Sequence, residues 1–322
     1  MTEGKKSAVE LFDDDYGEKW FSDTASFEED LEFVWGRRWS VSSEVGALKA
    51  CIVRRPGKEI ETVKNPADWR WGAVMDPRKA RDQHDAFTQI YRDHGADVFY
   101  VEEQREDRPN AIYMRDNVLG TPEGAILCRQ ATRFRRGEEA AVSKALAKAG
   151  CPIVRTISGK GLFEGACGMW IDRNTIILGT GVRSNPEGVR QVEEVVRNMG
   201  VEEVMHFQIP WGHAHLDGLL NPVDRKKILI FPWQTPYDII EPLRKRGYQM
   251  IEAPSIEEVK HGMAVNLVAI APGLVVMPDG NPETKKALEK AGVEVITVDV
   301  SELMKGYGCL HCMTAFLERD EI

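Results

Sequence analysis

Five times along the chain a charged, amphipathic stretch stops at a glycine and a short apolar run follows it. The five runs are His94-Gly-Ala-Asp-Val-Phe-Tyr-Val101, Ala149-Gly-Cys-Pro-Ile-Val154, Met199-Gly-Val-Glu-Glu-Val-Met205, Arg246-Gly-Tyr-Gln-Met-Ile251 and Ala291-Gly-Val-Glu-Val-Ile-Thr-Val298. Their pivots, Gly95, Gly150, Gly200, Gly247 and Gly292, recur about every 45 to 55 residues. A glycine that ends a helix, followed by a β-branched run, reads as helix, turn and strand. Helices are therefore predicted over 80–94, 136–149, 186–199, 237–246 and 282–291, with further strands at Ala125–Cys128, Thr175–Leu178, Lys227–Phe231 and Leu274–Met277. Leu48–Val53 opens the series as a strand.

Self-similarity at a fixed period signals a repeat architecture. Five such units are better closed into a ring than stacked, because a ring leaves only short, protected edges and brings equivalent positions to one axis. The expectation is a five-bladed α/β propeller around a central channel. The competing reading is an open α/β sheet whose helices merely end at glycines, but no G-x-G-x-x-G fingerprint follows an early strand to support it.

The chain of 322 residues is ample for one large core or two small ones. Its net charge of -9 argues against a nucleic-acid or anionic-membrane partner. The six cysteines have no secretory spacing, and Cys309-x-x-Cys312 has no second motif to complete a zinc site. No apolar leader follows Met1 and no apolar run approaches spanning length, so a reduced, cytoplasmic protein without signal peptide is expected. Residues 1–40 are acidic and aromatic and read as an N-terminal helical extension, with Phe27, Leu31, Val34 and Trp35 at helical spacing. This segment packs on the body or forms a dimer contact. Residues 41–322 form the single catalytic domain, in which the loop 64–77, with Trp69 and Trp71, is either a lid over a cleft or a packed surface loop.

Counting forward from each pivot to the next unusual polar residue gives a consistent register. Asp116 follows Gly95, Glu164 follows Gly150, His215 and Asp217 follow Gly200, Asn266 follows Gly247 and Cys312 follows Gly292, each roughly 14 to 21 residues on. In a ring these side chains converge, giving a nucleophile, an acid/base and anionic anchors around one cavity. The anchors suit a cationic substrate, and a nearby histidine would favour the thiolate. Taken singly, each has a structural reading: Asp116 as a partner of Arg115, Glu164 as a cap, His213 or His215 as a core histidine.

The motifs in this order resemble the guanidino-group modifying superfamily of the pentein fold, over about residues 42 to 319. They include Ser43-Glu-Val-Gly-Ala-Leu-Lys49, Arg54-Arg-Pro-Gly-Lys-Glu59, Gln83-His-Asp-Ala-Phe87, Pro109-Asn110, Arg115-Asp116 and Glu164-Gly165. Gly181-Val-Arg-Ser-Asn-Pro186, His215-Leu-Asp-Gly218 and His311-Cys-Met-Thr314 complete the set. The resemblance implies five ββαβ units around the active site. It implies that Cys312 attacks the guanidinium carbon to form an amidino-thioether, while His215 and Glu164 manage protons. It also implies that Asp116 and Asp217 hold the guanidinium nitrogens, with Asn266 beside them on the substrate side. Asn110 and Arg183 match positions that contact a substrate α-carboxylate in arginine deiminases. No cofactor or metal is implied.

The chain departs from arginine deiminases in reading Glu164-Gly-Ala-Cys167 rather than Glu-Gly-Gly-Asp, and in lacking room for their extra helical domain. It has Tyr307 and His311 where those enzymes carry arginines. Histidine before the cysteine is similar to agmatine deiminases and amidinotransferases. The leading expectation is a hydrolase of an arginine-like guanidine. An amidinotransferase and a catalytically silent ring-fold binding protein are the alternatives.

Overall fold

A computed structural model describes residues 25–322; the extension's aromatic positions Trp20 and Phe21 lie outside the described residues. Helix α1 (Phe27–Val34) starts from a capping box in which Ser26 and Glu29 bond reciprocally to each other's backbone N–H. It turns Leu31 inward, while Phe27, Val34 and Trp35 stay largely exposed. The chain beyond it joins the body: Trp39, Val41 and Glu44 are buried, and Val41 donates its N–H to Thr121.

Strand β1 (Leu48–Val53) leads to helix α2 (Pro77–Asp93) and β2 (Asp97–Tyr100). Next come β3 (Val118–Thr121), β4 (Gly124–Leu127), α3 (Glu138–Ala149) and β5 (Ile153–Thr156). The third unit is β6 (Gly168–Asp172), β7 (Thr175–Thr180), α4 (Pro186–Asn198) and β8 (Glu203–Gln208). The fourth is β9 (Leu220–Asp224), β10 (Lys227–Ile230), α5 (Tyr237–Lys245) and β11 (Gln249–Glu252). After α6 (Ile256–Lys260) the fifth unit is β12 (Val268–Ala271), β13 (Leu274–Pro278), α7 (Pro282–Lys290) and β14 (Glu294–Val298). Helix α8 (Leu310–Met313) and β15 (Ala315–Arg319) end the chain.

These strands make five separate three-stranded sheets, not one open sheet. In each, the middle strand pairs antiparallel with one neighbour and parallel with the other through a helical crossover, and in four of the five a tight turn makes the antiparallel connection. The protein is thus a five-bladed α/β propeller of ββαβ units. Both faces of each middle strand are covered, so β4, β7 and β10 read as continuous apolar runs.

All five pivot glycines are left-handed, with φ between 75° and 86°. In every unit the residue after the glycine donates its N–H five residues back: Ala96 to Tyr91, Cys151 to Leu146, Val201 to Val196, Tyr248 to Leu243 and Val293 to Leu288. This Schellman closure ends each helix and aims the chain into its parallel strand.

The first blade is assembled from both ends of the chain. β15 pairs antiparallel with β1, Cys51 opposite Phe316 and Ile52 opposite Ala315, while β2 lies parallel on the other side of β1. This pairing closes the ring, and it fixes α8 directly ahead of β15 at the axis. Among the described residues, no helix is long and apolar enough to cross a membrane.

Candidate active site

The residues singled out by register all sit in the short turns that enter the first strand of a blade. Asp116 lies in the 3-10 turn Met114–Asn117 before β3, and Glu164 begins the turn Gly165–Cys167 before β6. His215 precedes the turn Leu216–Gly218, which holds Asp217 ahead of β9. Asn266 stands just before β12 and Cys312 lies within α8. Equivalent positions converge because each blade delivers its entry turn to the axis.

His215 is the junction of the acid/base cluster. Its Nε2 lies 2.7 Å from Glu164 Oε2 and 3.5 Å from Asp116 Oδ1. Burial opposes charge on this imidazole, but Asp116, Glu164 and Asp217 outweigh it and raise its pKa above the ordinary value. Burial alone would raise the Glu164 pKa; the His215 hydrogen bond and the charges of His215, Arg183 and Arg135 hold it low instead. Glu164 Oε1 also accepts the Ala131 N–H at 3.0 Å, and Arg183 Nη1 stands 3.4 Å from it.

Cys312 occupies a second cluster. Its Sγ donates to Asp217 Oδ2 at 3.4 Å and accepts from Asn266 Nδ2 at 3.1 Å. Asn266 Oδ1 is spent on the backbone N–H groups of His311 and Cys312, at 3.1 and 3.2 Å. Asn266 thus holds the thiol turn as well as the thiol. Burial and the carboxylates of Asp217 and Asp116 push the Cys312 thiol pKa well up, so without a cation beside it the sulfur keeps its proton.

Two arginines, Arg135 and Arg115, and two further carboxylates, Glu138 and Glu44, were not legible in the sequence as site residues. Arg135 is buried, grips Asp116 Oδ2 and bonds both oxygens of Glu138, at 3.0 and 2.9 Å. The sequence suggested Arg115 as the structural partner of Asp116; Arg115 instead binds Glu44 at 2.9 Å, and Arg135 takes the aspartate. Glu44 also faces His311 Nε2 at 3.3 Å, while His311 Nδ1 lies 2.9 Å from Asp217 Oδ2. Ser43-Glu44 was visible as a motif, and its reach to His311 spans most of the chain.

A cavity of about 400 Å³ opens over the acid/base cluster, lined by Trp69, Trp71, Asn110, Asp116, Arg183 and Cys312 among others. Arg70 and Tyr307 line it too, both with left-handed backbone (φ 58° and 61°) that costs energy outside glycine. The loop 64–77 is both packed and a wall of this cavity: Trp71 is buried and donates Nε1–H to Asn110, and Gly72 N–H bonds Lys305 O at 2.7 Å. Gly308 must be glycine, since a Cβ there would meet the Tyr113 ring at 2.3 Å. His213, the other candidate histidine, bonds Gln234 and faces a different cavity.

Ligand atoms of Asp116, Glu164 and His215 lie within 4.8 Å of one another, close enough to meet a cation. Arg135 and Arg183 already stand against the two carboxylates, so the donor set suits a diffuse organic cation better than a compact metal ion.

The comparisons with known proteins agree with this geometry. A family model described as "N,N dimethylarginine dimethylhydrolase, eukaryotic" matches residues 68–319. The uncharacterized protein YkgA of Bacillus subtilis (strain 168) is 26% identical over 284 residues, covering 87% of this chain and 95% of its own. The N(G),N(G)-dimethylarginine dimethylaminohydrolase of Pseudomonas aeruginosa is 25% identical over 246 residues, covering 74% and 89%. A crystal structure of a dimethylarginine dimethylaminohydrolase adduct with 4-chloro-2-hydroxymethylpyridine superposes with a TM-score of 0.69 at 25% identity, over 84% of this chain and 99% of that one. Arginine deiminases match in sequence and amidinotransferases in fold. The chain belongs to the N,N-dimethylarginine dimethylhydrolase family, within the guanidino-group modifying enzymes of the pentein fold.

Proposed function

We propose that the protein is a cysteine-dependent hydrolase that cleaves a C–N bond of an arginine-like guanidine. The observation that carries this reading is that His215, paired with Glu164 at 2.7 Å, lines the same cavity as a thiol that donates to Asp217 at 3.4 Å. A guanidinium between Asp116 and Asp217 brings the positive charge that the thiol lacks. The Cys312 proton then passes to solvent through the open cavity, and Sγ forms a bond to the guanidinium carbon. The C–N bond to one nitrogen breaks, and His215 gives that nitrogen its proton. Water enters, His215 takes its proton, and the C–S bond breaks to leave a ureido product and the free thiol. Arg70 and Arg183 both line this cavity; Arg183 stands against Glu164, while Arg70 is exposed there and suits a carboxylate, which favours an amino-acid substrate. The substrate is a small molecule, and no organic cofactor enters these steps.

Transfer of the amidino group to an amine is the second reading. It is favoured by the space on the other side of Cys312, which would admit an acceptor larger than water. Mass spectrometry of products from L-arginine and its Nω-methyl derivatives, with and without an acceptor amine such as glycine, decides between them. Citrulline in both samples supports hydrolysis; ornithine with an amidinated acceptor, only when the acceptor is present, supports transfer. A Cys312→Ala variant that still turned over these substrates would remove both readings.

A further inference from the structure

Two cavities meet at Cys312. The one already described, of about 400 Å³, and a second of about 550 Å³ share Ala214, His215, Tyr307, Gly308 and Cys312. Asp116 lines only the first and Asp217 only the second. A planar guanidinium held by both carboxylates therefore lies at the junction with one nitrogen facing each side. His215, which lines both, stands where a nitrogen leaving toward the second cavity would need its proton.

The second cavity is lined by the apolar side chains of Phe231, Val259, Met263 and Val265, and also by His213, Gln234 and Lys260. Four described non-glycine residues have left-handed backbone, and three of them border these two cavities: Arg70 the first, Tyr307 both and Met263 the second. Strain of this kind persists only where the surroundings impose it, and it collects at ligand sites. A volume of about 550 Å³ falls in the range that holds drug-sized ligands, against roughly 30 Å³ for a water. Ammonia or a methylated amine would leave most of it unfilled.

We propose that this second cavity is a subsite for the departing amine, and that the preferred substrate carries a carbon-rich substituent larger than methyl on the nitrogen that leaves. The inference rests on the reaction proposed above. In that reaction the substituted amine departs through the second cavity with the proton from His215, while the ureido half remains anchored in the first. Water then follows the amine's path to the thioether.

The test is a series of L-arginines bearing hydrogen, methyl, n-butyl or 2-phenylethyl on one terminal nitrogen, with the released amine and the ureido product both quantified. The kcat/KM for the butyl or phenylethyl compound is expected to exceed that for the methyl compound by tenfold or more. A Val259→Phe variant, which fills the cavity from helix α6, is expected to lower that ratio at least tenfold. A wild-type enzyme that prefers the unsubstituted or methyl compound overturns the subsite, as does a ratio unmoved in a folded Val259→Phe protein. Should that variant not fold, the wild-type series decides alone. No turnover and no adduct on Cys312 with any member would refute the proposed reaction itself, whereas turnover of only the small members refutes the subsite alone.

Discussion

The imidazole of His311 is held between two buried carboxylates, with Nδ1 2.9 Å from Asp217 Oδ2 and Nε2 3.3 Å from Glu44 Oε2. Burial opposes its charge, but both hydrogen bonds favour it, and its pKa is raised. Glu44 and Asp217 are held at about 2, against their burial, chiefly by Arg115 for the first and by His311 for the second. His311 thus fixes the oxygen that receives the Cys312 thiol.

The first expected outcome concerns stability. Replacing His311 by Ala leaves two buried carboxylates short of a partner, which costs about 3 kcal/mol or more. In the wild type, the imidazolium's contribution is fully present below about pH 6.5 and is lost as pH rises through its raised pKa. The carboxylates' contributions are present above about pH 4 and are lost as pH falls toward their depressed values. Urea titrations across pH should show stability falling on the alkaline side, and falling less steeply in His311→Ala. His215, also raised, supplies the slope that remains.

The second concerns the thiol. Because burial and two carboxylates keep Cys312 protonated, a neutral alkylating agent should react slowly at pH 7. A cationic agent of the same size sits between Asp116 and Asp217 and favours the thiolate. Alkylation by 2-chloroacetamidine should therefore exceed that by 2-chloroacetamide by at least tenfold at neutral pH, with the mass added at Cys312. Equal rates would show that the carboxylates do not act on the sulfur.

The third separates Glu164 from a merely structural role. Glu164→Gln keeps the shape and the Ala131 contact but removes one of the charges that raise the His215 pKa. The alkaline limb of kcat/KM, set by loss of the His215 proton, should move to lower pH. The maximal rate should fall by roughly 10²- to 10⁴-fold, the usual worth of a positioned acid/base. A reduced rate with an unmoved alkaline limb would mean that Glu164 shapes the turn and does not tune the histidine.

The repeat could be read because its markers are local. Helices with one apolar face, glycines at their ends and doubly covered middle strands each leave a pattern within about ten residues. The first strand of each blade left none. β9 contains Asn221 and Pro222, β6 opens on Gly168, and both begin almost on top of the site turns, where Gly and polar residues hide strand periodicity. Within the site, the register brought Asp116, Glu164, His215, Asp217, Asn266 and Cys312 to one axis. What it could not give was pairing. Arg135 was unremarkable in a basic stretch, and the contacts of Glu44 join residues 71 and 267 positions away, which only ring closure brings together. His311 stood out in the motif His311-Cys-Met-Thr314 and as a departure from arginine deiminases, but neither showed its contacts to Asp217 and Glu44.

The last expected outcome tests whether three of the five pivots are physically equivalent. At Gly95, Gly200 and Gly247 an added Cβ would meet nothing within 4 Å, so Ala there carries no clash, only the left-handed backbone. That conformation costs a non-glycine residue about 1 to 2 kcal/mol. Each Gly→Ala variant should lose a similar amount in urea unfolding, and Asn, which tolerates this region, should lose less. The three sites lie in different blades and share no partners, so their costs should add to within about 0.5 kcal/mol in the triple variant. A much larger loss at one site would mark that helix end as strained by its tertiary setting. A loss near zero would mean that the helix can end without the left-handed turn, and that the feature by which the repeat is recognised is not what closes its helices.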